Sequence, residues 1–178
     1  KMIYIMNVEI FKNKFIKNIK LDQKLAKFTW FGVGGNAEIL FIPEDEKSLM
    51  EFLKNKPQGY KVFAIGAGSN LLIRDKGING IVLVTKKLKK ISIDNYGIIS
   101  AQAGTADAEV ARFARDYERA GLEFLLGIPG TIGGGIKMNS GAFGSEFKDV
   151  LIDVTAINNS GELNVFSNQE LKMDYRKS

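Results

Sequence analysis

The chain predicts an α+β protein built as two packed halves, and three observations carry that reading. Apolar runs of strand length recur along the chain with Gly and Asn at their ends. Their order is β-α-β first, then strands with a single helix between them, and neither an internal repeat nor a low-complexity linker interrupts it. At 178 residues, 45% hydrophobic and 25% charged, the chain has a globular composition. A chain of this length buries on the order of 70% of its unfolded surface, enough for a core without staples.

The elements follow in order. Val8, Phe11, Phe15, Ile16 and Ile19 lie near helical spacing with lysines between them, which predicts an amphipathic leader helix over 8–20 that packs on the body. "AEILFIP" (37–43) reads as a buried strand, and "EDEKSLMEFLKNK" (44–56) as a helix with acids in its first turn and lysines in its last. Glu44, Asp45 and Glu46 could form a metal cluster, but a helix start explains three acids more simply. "YKVFAIG" (60–66), "GIVLV" (80–84), "KISID" (90–94) and "GIISAQAG" (97–104) continue as strands, with the short apolar run "LLI" at 71–73. Asp107 is expected to cap a helix whose Val110, Phe113, Ala114 and Tyr117 mark one face and which Gly121 ends. "DVLIDVTAIN" (149–158) and "ELNVF" (162–166) form a hairpin across "NSG", and "SNQE" (167–170) reads as a capping box that opens a short helix.

Composition also excludes. No apolar run approaches the roughly 20 residues that cross a bilayer, so no membrane insertion is expected, and the N-terminal stretch lacks the small-residue cleavage pattern of a secretory signal. His and Cys are both absent, which removes disulfides, most zinc sites, and the nucleophile pairs that need either residue. The net charge of +5 resides entirely in residues 1–27, where seven lysines face Glu9 and Asp22. The rest of the chain is neutral, so no basic stripe for nucleic acid is expected, and "TKKLKK" (85–90) reads as a solvated turn.

Three glycine clusters compete for a nucleotide. "GVGGNA" (32–37) fits G-x-G-x-x-A formally but leads into a strand rather than a helix, so it is not a dinucleotide fingerprint. "GAGSNLLIRDKG" (66–77) follows a strand and lacks the G-K-[ST] of a P-loop, which suits a diphosphate better than a triphosphate. Gly66 and Gly68 would let the main chain approach a ligand while Ser69 and Asn70 offer neutral donors; an ordinary corner between strands explains the same residues. "GLEFLLGIPGTIGGGIKMNSGAFGSEF" (121–147) is the densest. It predicts a main-chain anion nest, because Pro129 and Gly130 account for one turn but leave Gly133, Gly134 and Gly135 without a task.

Those segments, with "FTWFGVGGNAEILFIP" and the terminal "MDYRKS", resemble in order and spacing the UDP-N-acetylenolpyruvoylglucosamine reductase family, over residues 28–178. The resemblance implies an FAD-binding fold of the vanillyl-alcohol-oxidase (PCMH) type with flavin held between two α+β subdomains, 28–86 and 87–178, behind a basic leader, 1–27. It places Gly66, Ala67, Gly68, Ser69, Asn70, Leu71 and Leu72 on the cofactor diphosphate. Gly127, Ile128, Pro129, Gly130, Thr131, Gly133 and Gly134 join them there, and Asn139, Gly141 and Ala142 approach the flavin. Many members of the wider superfamily tether flavin through His or Cys; with neither residue present, FAD would be held non-covalently. The resemblance further implies NADPH as hydride donor, a UDP-sugar enolpyruvyl ether as substrate in peptidoglycan precursor synthesis, and a cytoplasmic monomer.

The family's catalytic arginine falls on Arg176. Its guanidinium would grip the substrate carboxylate as negative charge builds toward it; taken without the motif, Arg176 would pair with Asp174 or Glu170 on the surface. The family's general-acid serine and its partner glutamate lie in a third, substrate-binding domain and have no counterpart here, so the chain reads as the FAD-binding part and is expected to be inactive alone. Ser140 and Phe143 replace the more usual alanine and tyrosine. The alternatives are another FAD oxidoreductase of the superfamily or a non-catalytic flavin- or nucleotide-binding module.

Overall fold

The computed structural model describes residues 9–178. It divides into two compact units: the described residues up to Lys87 together with Ile157–Leu163, and Leu88–Ala156 together with Asn164–Ser178.

The first unit is a four-stranded sheet in the order β1-β2-β4-β3, comprising β1 (Ile19–Lys24), β2 (Asn36–Phe41), β3 (Val62–Ile65) and β4 (Ile78–Val84). β4 runs parallel to both β2 and β3, while β1 adds antiparallel to β2. Parallel central strands are buried on both faces, and Ile39, Leu40, Phe41, Ile81, Val82, Leu83 and Val84 are buried accordingly. Leu25, Ala37, Leu40, Ile65, Ile73, Val82 and Val84 form one core cluster. Helix α1 (Glu46–Asn55) covers the sheet through an aromatic group in which Phe52 meets Phe41 at 3.8 Å between ring centroids, Phe11 at 5.0 Å and Phe15 at 5.2 Å. Its start is a capping box: Ser48 N–H donates to Asp45 Oδ1 at 2.8 Å and Asp45 N–H to Ser48 Oγ at 3.1 Å. The acids at 44–46 thus serve the helix start, and Glu44 pairs with Lys87.

The leader departs from expectation. Residues 9–14 are helical, and Phe11 and Phe15 are buried, but 19–24 form β1 in place of the continued helix. Ile19 pairs with Phe41 and Leu21 with Ile39, so the edge of β2 captures backbone groups that a helix would have satisfied internally. The expected helical position Val8 lies outside the described residues.

The second unit holds β5 (Ile91–Ile93) paired with β6 (Ile99–Ala101), α2 (Asp107–Asp116), a 3-10 turn at Glu123–Gly127, and α3 (Ile132–Met138). After these come the small pair β7 (Gly141–Ala142) and β8 (Ser145–Glu146), α4 (Phe147–Val150), and the hairpin β9 (Asp153–Ile157) and β10 (Leu163–Ser167). Val110, Ala111, Phe124, Leu125, Ile132 and Phe147 form its core. The hairpin's tip is assigned to the first unit, where Gly161 packs on Met50 and Lys54 of α1. Ser167 and Glu170 make the expected reciprocal bonds, 2.8 Å from Ser167 N–H to Glu170 Oε2 and 3.4 Å from Glu170 N–H to Ser167 Oγ, but around a turn and not a helix. Among the described residues no helix is long and apolar enough to cross a membrane.

Candidate functional site

The first candidate loop leaves β3 at Ile65 and turns through Gly66–Asn70. Gly68 adopts φ +69°, and a Cβ there would lie 2.0 Å from the Phe28 carbonyl oxygen, while its own carbonyl accepts the Trp30 N–H at 3.1 Å. Its glycine is therefore required by the neighbouring 26–30 backbone, independently of any ligand. Ser69 and Asn70 follow in a turn, and among the described residues neither side chain has a protein partner, so both keep free donors. Leu71 packs on the core, whereas Leu72 projects, 73% exposed. "GVGGNA" receives a packing explanation: a Cβ on Gly35 would sit 1.9 Å from the Asp75 carbonyl oxygen.

In the second unit, Ile128, Ile132 and Ile136 recur every four residues and face the core, which fixes the outward face of the run between them. Two helices begin side by side here. Ala106, the N-cap of α2, bridges Thr131, the N-cap of α3, in antiparallel fashion. Asp107 N–H donates to Gly130 O at 3.2 Å and Ile132 N–H to Thr105 O at 2.9 Å, with Gly133 N–H to Ala103 O at 2.9 Å. The expected nest is thus corrected in part: the amides of Ile132 and Gly133 already serve the protein. Most of the glycines are close-packing positions, since a Cβ would meet Ala103 Cβ at 2.9 Å from Gly133 and the Phe147 ring at 2.3 Å from Gly135. Gly134 is the exception. It is exposed on α3, and a Cβ there would have nothing nearer than Thr131 Oγ1 at 3.8 Å.

Gly127, Pro129 and Gly141 are exposed with Gly134, Ile128, Gly130 and Ala142 are partly exposed, and Thr131 and Asn139 are buried. Asn139 ends α3 in the left-handed region at φ 42°, which Asn tolerates. Its amide nitrogen donates to Glu146 Oε2 at 2.9 Å and to Asp174 O at 3.4 Å, and its oxygen accepts the Lys148 N–H at 2.9 Å. These bonds brace the side chain against Glu146, Lys148 and Asp174.

Arg176 sits at the tip of a two-residue turn closed by reciprocal 3.1 Å bonds between Asp174 and Lys177. Neither expected surface partner takes it: Asp174 pairs with Lys177 at 3.4 Å, and Glu170 accepts from Ser167. Its Nε donates to Tyr175 Oη at 3.2 Å, which favours the charged guanidinium and pushes its pKa further up. Both residues are exposed, and among the described residues no carboxylate pairs with the arginine.

Asp107 was expected as a helix cap and is instead the first residue of α2, with Ala106 at the cap and no side-chain cap bond. Its side chain is fully buried, and among the described residues both carboxyl oxygens lack partners, as do Thr105 Oγ1 and Thr131 Oγ1. A buried polar atom left so costs roughly 1–3 kcal/mol. Burial pushes the Asp107 carboxyl up from 3.8 to about 7. No sequence signal separates this acid from an ordinary cap, because its burial depends on Gly130, twenty-three positions away.

Comparison with known proteins fits this arrangement. The family model for the FAD binding domain matches residues 37–167. The chain is 46% identical over 158 residues to UDP-N-acetylenolpyruvoylglucosamine reductase of Orientia tsutsugamushi (strain Ikeda), covering 86% of the chain and 52% of that protein. It is 47% identical to the protein of the same name in Phenylobacterium zucineum, over 88% of the chain and 53% of the relative. The chain thus spans about half the length of the curated relatives it matches. The crystal structure of the Thermus caldophilus reductase superimposes with a TM-score of 0.74 at 31% identity, over 89% of this chain and 55% of that one. Berberine bridge enzyme from Eschscholzia californica shares the fold at TM-score 0.62 and 13% identity, over 93% and 37% of the two chains. The fold is therefore the α+β FAD-binding fold of the vanillyl-alcohol-oxidase type. The chain belongs to the FAD binding domain family, and within it aligns with the FAD-binding part of UDP-N-acetylenolpyruvoylglucosamine reductases.

Proposed function

We propose that the chain binds FAD non-covalently and serves as the flavin-holding part of an enzyme that reduces UDP-N-acetylglucosamine enolpyruvate to UDP-N-acetylmuramate with NADPH, in cytoplasmic peptidoglycan precursor synthesis. The identity to reductases over most of the chain supports the substrate and reaction. The single structural observation that carries the cofactor reading is Gly134: a glycine in an exposed helical position, unexplained by any protein neighbour, leaves room for a ligand to approach the main chain.

The residues present fit the cofactor. Ser69 and Asn70 offer neutral donors to a diphosphate without placing a charge beside it, and the absence of His and Cys leaves no side chain of the kind that tethers flavin. Bound FAD would supply the relay of hydride from NADPH to the enolpyruvyl double bond. Arg176, with no acid of its own, is free to take the substrate carboxylate in a two-point contact, and Tyr175 orients its Nε. Asn139 braces the Arg176 turn through the Asp174 carbonyl. The proton donor of the reaction is assigned to the part of the enzyme that the relatives have in addition.

Visible absorption of the purified protein, with identification of the released chromophore, tests the cofactor; a colourless protein that fails to take up added FAD would overturn it. In the complete enzyme Arg176→Ala is expected to slow reduction of the enolpyruvyl sugar by roughly 10²–10³, with reduction of the flavin by NADPH less affected. Equal loss in both half-reactions, followed by stopped flow, would make Arg176 a structural residue.

A further inference from the structure

Asp107 stands out because the protein has built a place for it and given it nothing to bond. Its carboxyl occupies the space that a side chain on Gly130 would fill: a Cβ there would lie 2.6 Å from Asp107 Oδ2. The position, first in a ten-residue helix, is one where an acid ordinarily caps amides or meets the helix dipole at the surface, yet the side chain makes no cap bond and is fully buried. Thr105 Oγ1, two residues back at a bend and also fully buried, is likewise without a partner among the described residues.

Among the described residues no counter-charge offsets the burial of the carboxyl. The 127–131 turn contributes Gly, Ile, Pro, Gly and Thr, the 103–106 segment Ala, Gly, Thr and Ala, and the one other acid in the first turn of α2, Glu109, is exposed. Only the peptide dipoles of the helix start favour the carboxylate, and burial outweighs them, since it holds the group near 7.

We propose that Asp107 is the positioning residue of the Gly127–Thr131 turn: an uncharged carboxylic acid seated under Gly130 that lets the turn accept an anionic diphosphate, and that opposes this ligand once ionised. The inference rests on the reading that this turn contacts the FAD diphosphate. A diphosphate carries its negative charge throughout the neutral range, so seating it beside a dry, uncompensated carboxylate costs far more than seating it beside the acid. Binding and ionisation therefore oppose each other. The sign follows: FAD must raise the Asp107 midpoint, so affinity is highest below the midpoint of the free protein and falls as pH rises through it.

FAD affinity of the purified chain, titrated between pH 6 and 8.5, tests this. With a midpoint of about 7 in the free protein and a higher one in the complex, affinity should fall up to about 30-fold across that range. Asp107→Asn should bind as the wild type does at pH 6 and show a flat profile. The Asp107 carboxyl resonance, followed by NMR in wild-type protein, needs no variant, and its midpoint should rise by at least one pH unit with FAD. A flat wild-type profile, an equal slope in Asp107→Asn, or a midpoint that FAD leaves unmoved overturns the proposal. Failure of the folded wild type to bind FAD at any pH would overturn the flavin reading itself, and this inference with it.

Discussion

The loop after β3 and the run from Gly127 to Asn139 are both rich in glycine, and they use it differently. In the first, Gly68 is buried beneath the Phe28 carbonyl while the polar side chains beside it stay uncommitted. In the second, amides that looked available bond to Thr105 and Ala103, a buried acid fills the space at Gly130, and one exposed glycine is left without a packing reason. Glycine density thus reports close backbone packing first. A ligand role has to be argued from the groups that packing leaves over, Ser69 and Asn70 in one region and Gly134 in the other.

The largest expected effect lies in the second region. Burial pushes the Asp107 carboxyl from its ordinary value of 3.8 up to about 7, so the folded state holds the proton longer; the cost of its burial is absent below pH 3.8, grows through the window, and is complete above about 7. That difference corresponds to at most roughly 4 kcal/mol. Urea unfolding at pH 4.5 and 7.5 should show Asp107→Asn gaining on the wild type as pH rises, and parallel curves would mean that the carboxyl is solvated.

Next is Gly68→Val, expected to destabilise the cofactor-free protein by about 2–4 kcal/mol, because the new side chain meets the Phe28 carbonyl and the backbone is left-handed. Wild-type melting combined with poor FAD binding would restore a direct ligand approach at this glycine. Smaller effects separate ligand from packing. Ser69→Ala and Asn70→Ala should each weaken FAD by about 0.5–1.5 kcal/mol, read by titration, with unchanged melting; unaltered affinity in both would leave the loop as a corner. Gly134→Ala should stabilise the cofactor-free helix by about 0.5–1 kcal/mol while weakening FAD, and stabilisation without that weakening would remove the ligand from α3.

Much of this was legible in the chain. α1 was readable because its cap, acids, lysines and apolar face agree, and the central strands because parallel strands buried on both faces read as unbroken apolar runs. β1 was misread: Ile19 satisfies a helical and a strand pattern alike, and only the open edge of β2 decides between them. The reciprocal Ser167–Glu170 bonds were readable, but the turn they close does not extend into a helix.

By itself the sequence determined the α+β class and the family, because composition and ordered motifs are local properties of the chain. The tertiary structure decided which glycines are packing positions, that Asn139 braces the Arg176 turn, that Arg176 has no acid partner among the described residues, and that Asp107 is buried rather than capping. Each depends on a neighbour distant in sequence, Phe28 for Gly68 and Gly130 for Asp107. Burial and hydrogen-bond satisfaction are properties of such pairs, and no single position along the chain encodes them.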